Sequence, residues 1–193
     1  MNVNYSKDFQ GAWLDLPHYA KSVVCIGCFD GVHIGHQALI QKARTYAHAF
    51  DLNVIALCFN PHPKEFLNQF KVDQLTTIAE RFRLLKHYGV DHCVCLNFDQ
   101  ALATLSAESF LSKIVSDALN AQVIVVGDNF KCGHQQSGNI DFLKQWTYQQ
   151  AIQLDVVSLM TLDQAVVSST RCRASINDPV YLSQLLGRSH LTL

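Results

Sequence analysis

Five short apolar runs, each followed by a longer stretch of helical patterning, constrain this chain more than any other feature. They are "SVVCIG" (22–27), "NVIALCF" (53–59), "DHCVCLNF" (91–98), "QVIVVG" (122–127) and "LDVVSL" (154–159). Near-continuous apolar runs of this length read as strands buried on both faces. Between them, Leu39, Ile40, Ala43, Tyr46 and Ala47 lie at helical spacing from about Gly35 to Phe50. Thr76 or Thr77 caps a second helix that runs to about Tyr88 and ends at Gly89. Ser106 with Ser109 opens a third, to about Leu119, and a fourth covers about Ile140 to Gln150. A short helix follows "VSSTRCRASI", and the last spans 178–187, with Asp178 as cap and Pro179 in its first turn. Strand and helix alternate throughout, which predicts a parallel sheet with right-handed crossovers and helices on both faces. The expected fold is a doubly wound α/β domain over 1–193. "NPHPKEFLNQFK" (60–71) reads as a loop, because each proline biases its predecessor away from helix. "DNFKCGHQQSGN" (128–139) reads as a polar loop.

Composition removes several function classes. Fifteen basic and sixteen acidic side chains leave a net charge of −1, without the basic footprint of a nucleic-acid binder. No run of about 18 apolar residues is present to span a membrane. The start, "MNVNYSKDFQGAWLDLP", lacks the charged-then-apolar pattern of a signal peptide. Seven cysteines is an odd number, and most fall in the strand-like runs. Buried thiols in a reducing cytosol fit that distribution better than a disulfide framework, so a cytoplasmic location is expected.

In doubly wound sheets ligands bind outside the carboxyl ends of strands, so the segments after strands are the ones to read. "CFDGVHIGHQALI" (28–40) follows the first run directly. Gly31 permits a tight turn, and Gly35 permits close approach where a helix begins. A helix start offers free N–H groups and the positive end of a dipole, a seat for phosphate oxygens. His33 and His36 can both reach over that seat and donate hydrogen bonds to oxygens whose charge grows in a transition state. A zinc site is the rival, since Cys25, Cys28, His33 and His36 spell C-x2-C-x4-H-x2-H. Zinc fingers leave about a dozen residues between the pairs, and Cys25 lies inside a strand, so no protein-bound metal is expected. A thioredoxin-like C-x-x-C would open a helix, whereas this one ends a strand.

The pattern G-x-F-D-x-x-H-x-G-H, from Gly27 to His36, resembles the adenylyl- and cytidylyltransferases of the nucleotidyltransferase superfamily. "SSTRCR" (168–173) resembles that superfamily's second signature, S-S-T-x-x-R. Read singly, Ser168 or Ser169 is an ordinary N-cap and Arg171 a solvated charge. "FNPHP" (59–63), "NFDQALATLSAESF" (97–110), "VVGDNFKCGHQQSGN" (125–139) and "LLGR" (185–188) narrow the likeness further. Together they resemble the FMN adenylyltransferase module of the bacterial bifunctional riboflavin kinase/FAD synthetase family. The resemblance covers about residues 20 to 190 and implies a Rossmann-like sheet of the HxGH type.

It also implies a reaction, FMN plus MgATP giving FAD plus pyrophosphate, with magnesium held mainly by phosphates. His33, His36 and Arg173 would act on the transferring and leaving phosphates. Gly27, Cys28, Phe29, Asp30, Gly35, Ser168, Ser169 and Thr170 would shape the ATP pocket. Asn60, Pro61, His62 and Pro63 would close over flavin and phosphate, with Asn129 and Phe130 on the flavin side. Cys132 stands where the family usually has an aromatic residue, Cys172 where it has an aliphatic one, and Cys28 where it often has Asn. Those departures keep two alternatives open: transfer to another phosphorylated substrate, and a flavin- or nucleotide-binding paralogue without turnover. The family's riboflavin kinase barrel normally begins just after a segment like "LLGR". Only five residues follow Arg188, so riboflavin is not expected to be phosphorylated.

Overall fold

The structure is a computed structural model and describes residues 8–69 and 71–189. Six parallel strands form its sheet: β1 (Phe9–Gly11), β2 (Ser22–Ile26), β3 (Asn53–Asn60), β4 (His92–Asn97), β5 (Ala121–Gly127) and β6 (Gln153–Val157). Their order is β1-β4-β3-β2-β5-β6. The chain leaves β2 through α1 (Ile34–Phe50) to β3 on one side, and β5 later pairs with β2 on the other. The order therefore reverses between β2 and β5, and a crevice opens beyond their carboxyl ends.

Alternate residues along each strand serve different cores. Val23, Cys25, Ala56, Cys58, Cys93 and Cys95 face α1 and the α3 helix (Ile78–His87), meeting Ile40, Ala43 and Leu85. Val24, Ile26, Ile55, Leu57, Val94 and Leu96 face the opposite layer. That layer is built by α5 (Ala107–Phe110), its continuation as a π-helix over Leu111–Ala118, and α6 (Ile140–Gln149). The cysteines thus share one face with Ala56 and valines, packed beneath α1 and α3. Burial pushes the Cys25 thiol up to about 12, so it stays protonated and inert.

Several elements differ from the sequence expectation. β1, a three-residue strand, pairs with β4 in a stretch given no element from sequence. The 60–71 segment contains a short helix, α2 (Pro63–Asn68). Residues 60–62 stay non-helical as the prolines require, but Pro63 occupies the first turn, where a missing N–H costs nothing, and His62 caps it. After β6, β7 (Thr161–Leu162) and β8 (Ala165–Val166) form a hairpin. Its two turn residues, Asp163 and Gln164, both have positive φ, 50° and 62°. That turn normally announces itself with Asn-Gly or Asp-Gly, and Asp-Gln lacks the signal. Of the remaining helices, α4 (Gln100–Ala103) precedes α5, while α7 (Ser169–Ala174) and α8 (Pro179–Leu186) come last. Val167, Cys172, Leu182, Leu185 and Leu186 make a third small core, packed on Ile34 and Leu75. No helix among the described residues is long and apolar enough to cross a membrane.

Candidate active site

A cleft of ≈ 580 Å³ lies beyond the ends of β2 and β5, a size that suits a nucleotide-sized ligand. Its walls bring together segments far apart in sequence. Gly27, Cys28 and His33 come from the β2–α1 turn, Gly35 and His36 from the first turn of α1, and His62 and Lys64 from the start of α2. Lys71, Val72 and Asp73 follow α2, while Gly127, Asn129 and Phe130 come from the β5 loop. Ser168, Ser169, Thr170 and Arg173 come from α7 and its cap.

The two imidazoles are stacked, with ring centroids 3.7 Å apart and planes 19° from parallel. The His36 ring also tilts against Phe29 at 5.0 Å. Two cations could not share this spacing. Burial lowers the His33 pKa to about 4, against partial support from Asp30. Burial, then His33 and Arg81, hold His36 well below the ordinary value of 6.5. Both rings are therefore neutral at pH 7. Their Nδ1 atoms are buried with no hydrogen-bond partner. That leaves Nε2 as the nitrogen each can present to the cleft, and a proton there is available for donation. Gly35 supplies the room: a Cβ at that position would lie 3.2 Å from two atoms of the His33 ring.

A stability consequence follows. As pH falls below 6.5 the unfolded chain protonates its histidines, whereas folded His33 resists until about 4. This group's contribution is complete above 6.5 and is lost as pH falls through that window. A displacement of this size corresponds to about 3 kcal/mol for His33. Urea unfolding is expected to show stability falling from pH 7 to pH 5, with a shallower slope in His33→Asn. Equal slopes would show that His33 titrates normally.

The turn that carries these rings is strained and pinned. Phe29 and Val32, both fully buried, have positive φ of 53° and 39°. Such residues cost about 1–3 kcal/mol each and persist only when their surroundings hold them. Arg188 donates to the Gly31 carbonyl at 2.7 Å and the Val32 carbonyl at 3.1 Å. Gln37 Nε2 donates to Val32 at 2.9 Å. Phe29 and Asp30, expected in the ATP pocket, lie behind it instead. Phe29 turns inward against His36, and Asp30 is consumed by hydrogen bonds from Leu75, Thr76 and Arg173.

Ser168 caps α7 through the Arg171 N–H, and Ser169 Oγ donates to the Asp30 carbonyl at 2.8 Å. Arg171 is not a solvated charge. It donates to the Leu162 and Ala165 carbonyls at 2.9 and 2.6 Å and to the Tyr181 hydroxyl, which ties the β7–β8 hairpin to α7 and α8. At the start of α2, His62 Nδ1 accepts from the Lys64 N–H at 3.1 Å, so its proton sits on Nε2. Asn60, Pro61 and Pro63 stand outside the cleft lining and shape the approach to α2. Lys64, Lys71 and Asp73 were not legible as site residues, because nothing in a polar stretch marks which side chains a later fold turns inward. Cys28 faces the cleft, but burial pushes its thiol up to about 11, which rules out a ready nucleophile. No group of three or more His, Cys, Asp or Glu among the described residues is arranged to hold a metal ion. Cys25 is turned into the core, its thiol 3.6 Å from the Leu39 carbonyl.

Comparison with known proteins decides the family. Residues 16–171 match the model of FAD synthetase. The chain belongs to the FAD synthetase family. It is 34% identical over 173 residues to the bifunctional riboflavin kinase/FMN adenylyltransferase of Buchnera aphidicola subsp. Schizaphis graminum, covering 88% of this chain and 55% of that relative. The chain thus spans little more than half the length of that relative. A crystal structure of a macrolide-efflux protein from Streptococcus pneumoniae superposes with a TM-score of 0.84 at 29% identity, over 94% of this chain and 62% of that one. Pantothenate synthetase from Thermus thermophilus shares the fold, with a TM-score of 0.53 at 16% identity over 92% of this chain and 71% of its own. FAD synthetase membership and the all-parallel sheet agree with the HxGH-type architecture expected from the two signatures.

Proposed function

We propose that this chain transfers AMP from ATP to the phosphate of FMN, giving FAD and pyrophosphate. One observation carries the reading: a neutral, stacked His33–His36 pair and Arg173 line the same cleft in a member of the FAD synthetase family. The chemistry is an in-line attack by an FMN phosphate oxygen on the α-phosphorus of ATP. A P–O–P bond forms to AMP as the bond to pyrophosphate breaks. Little covalent work falls to the protein, so positioning and charge stabilisation carry the rate.

The Nε2–H groups of His33 and His36 donate to the α-phosphate oxygens as their charge grows. Gly27, Cys28 and Gly35 form the floor of the ATP pocket, with Ser168, Ser169 and Thr170 at the α7 cap. Arg173 holds the leaving pyrophosphate, and a guanidinium suits that task by its fixed fork and permanent charge. His62 donates from the start of α2 to the incoming phosphate, with Asn60, Pro61 and Pro63 setting the path of its loop. Asn129 and Phe130 face the flavin. Magnesium bound with ATP would neutralise phosphate charge. The cleft's donor set fits an ion carried in on phosphates rather than one caged by protein, with Asp73 as the carboxylate available to it. Seven unpaired cysteines support a cytoplasmic enzyme. The partners in this reading are ATP and FMN, with no nucleic acid and no membrane.

Incubation of the purified chain with FMN and MgATP is expected to yield FAD and pyrophosphate in equal amounts. Flavin chromatography with a pyrophosphate assay reads both. Intact FMN at high protein concentration would remove the reading. Pyrophosphate release that needs a different phosphorylated acceptor would redirect it.

A further inference from the structure

Asp30 is 1% exposed and does not line the cleft, yet three separate parts of the chain meet on its carboxylate. Oδ1 accepts from the Leu75 N–H at 3.0 Å and from the Thr76 N–H and hydroxyl at 3.1 Å each. Arg81, itself buried, reaches the same oxygen at 3.5 Å. Oδ2 accepts from the Leu75 N–H at 3.1 Å and from Arg173 Nη2 at 3.0 Å. Arg173 Nε also donates to the Asp73 carbonyl at 2.6 Å. The guanidinium is thus gripped at two of its donors, and the remaining N–H groups are free to point into the cleft. Two arginines share one carboxylate, so the assembly keeps a surplus positive charge beneath the place a triphosphate would occupy.

We propose that Asp30 is a positioning residue for adenylyl transfer. It sets the direction of Arg173 and anchors the 73–76 segment, without touching substrate. The inference rests on the adenylyl-transfer reading, since Arg173 is the group through which Asp30 would act on the rate. An arginine on a six-residue helix, left to solvent on this side, would sample many directions. A misplacement of about 1 Å at a reacting group can cost on the order of 10²-fold in rate.

Asp30→Asn isolates the effect. The amide oxygen can still accept from Leu75 and Thr76, whereas the amide nitrogen at the Oδ2 position sets donor against donor at Arg173. The experiment measures single-turnover FAD formation in the wild-type chain, Asp30→Asn, Arg173→Ala and the double variant. The rate constant in Asp30→Asn is expected to fall roughly 10- to 100-fold. The double variant should be no slower than Arg173→Ala alone, because the two residues act as one unit. A loss of fold alone would reduce the amplitude and leave the rate constant. Multiplying losses, or an unchanged rate constant in Asp30→Asn, would overturn the proposal.

A second measurement needs no activity. In the wild-type chain the Arg173 Nε–H resonance, assigned by its loss in Arg173→Ala, should be resolved and slow to exchange with solvent. It should become averaged and fast-exchanging in Asp30→Asn, and a resonance unchanged in that variant would show that Asp30 does not hold the side chain. If wild-type protein forms no FAD, the adenylyl-transfer reading fails, and whether the slow exchange of this resonance is lost in Asp30→Asn decides whether Asp30 positions Arg173.

Discussion

His33→Ala and His36→Ala are each expected to slow adenylyl transfer by about 10²–10³-fold while changing ATP affinity far less. The magnitude is that of removing one preorganised donor from a site where negative charge develops. The asymmetry between rate and affinity follows from the charge state. Two neutral rings stacked at 3.7 Å bring no full charge to the ground-state triphosphate. Their N–H dipoles gain most when the α-phosphate oxygens become more negative in the transition state. His36 also packs between His33 and Phe29, so its alanine variant leaves a void as well as a missing donor. His36→Gln separates the two effects by refilling part of that space. Rates by FAD formation and affinities by calorimetry provide the check. Affinity that falls as far as rate would assign the pair to ordinary binding, and a fully active double variant would remove it from the mechanism.

Gly133→Ala is expected to destabilise the fold by about 2–5 kcal/mol, combining a Gly-only backbone conformation with overpacking. Gly133 sits at φ 74° and ψ 172°. A Cβ there would lie 2.3 Å from the backbone nitrogen of Ala107 and 2.5 Å from its Cα. Neither obstacle is a flexible side-chain end that can move aside. The loop is held on both sides of this point. Cys132 and Gly138 exchange N–H to carbonyl bonds at 2.8 and 3.0 Å, and the His134 N–H donates to the Leu105 carbonyl at 2.7 Å. Relief would therefore shift Asn129 and Phe130 on the cleft wall. Thermal unfolding should show a midpoint lower by on the order of 5–15 °C, together with weaker flavin binding. A midpoint within about 2 °C of wild type would mean that the loop does not press on α5.

The sheet was legible because its strands are buried on both faces, and such runs announce themselves in one dimension. The runs at 22–27, 53–59, 91–98 and 122–127 coincide with β2 to β5 to within a residue at each end. The capping of α3 by Thr77 and of α8 by Asp178 was equally readable, since caps depend on residues three apart. β1 was not readable: three residues pair with β4 only because the tertiary fold brings them alongside. α2 was hidden by prolines whose effect depends on helix position. In the site, the motifs brought His33, His36, Ser169 and Arg173 to one cleft. What they could not convey is direction. Asp30 and Phe29 stand beside the histidines in sequence, yet the positive φ at Phe29 turns both away from the cleft. Arg171 and Arg173 are two residues apart, and their tasks diverge because α7 points one toward the hairpin and the other toward Asp30.

The clamp of Arg188 on the Gly31 and Val32 carbonyls has a consequence in time. A chain made from its amino end completes β2 and the strained turn early, but the side chain that pins the turn is synthesised 157 residues after Gly31. The sheet can close once β6 has left the ribosome, about thirty residues before Arg188 does. During that interval the histidine turn has its hydrophobic seat but not its lock. A nascent chain therefore acquires its sheet before the geometry of its histidine turn, which is locked only when Arg188 docks.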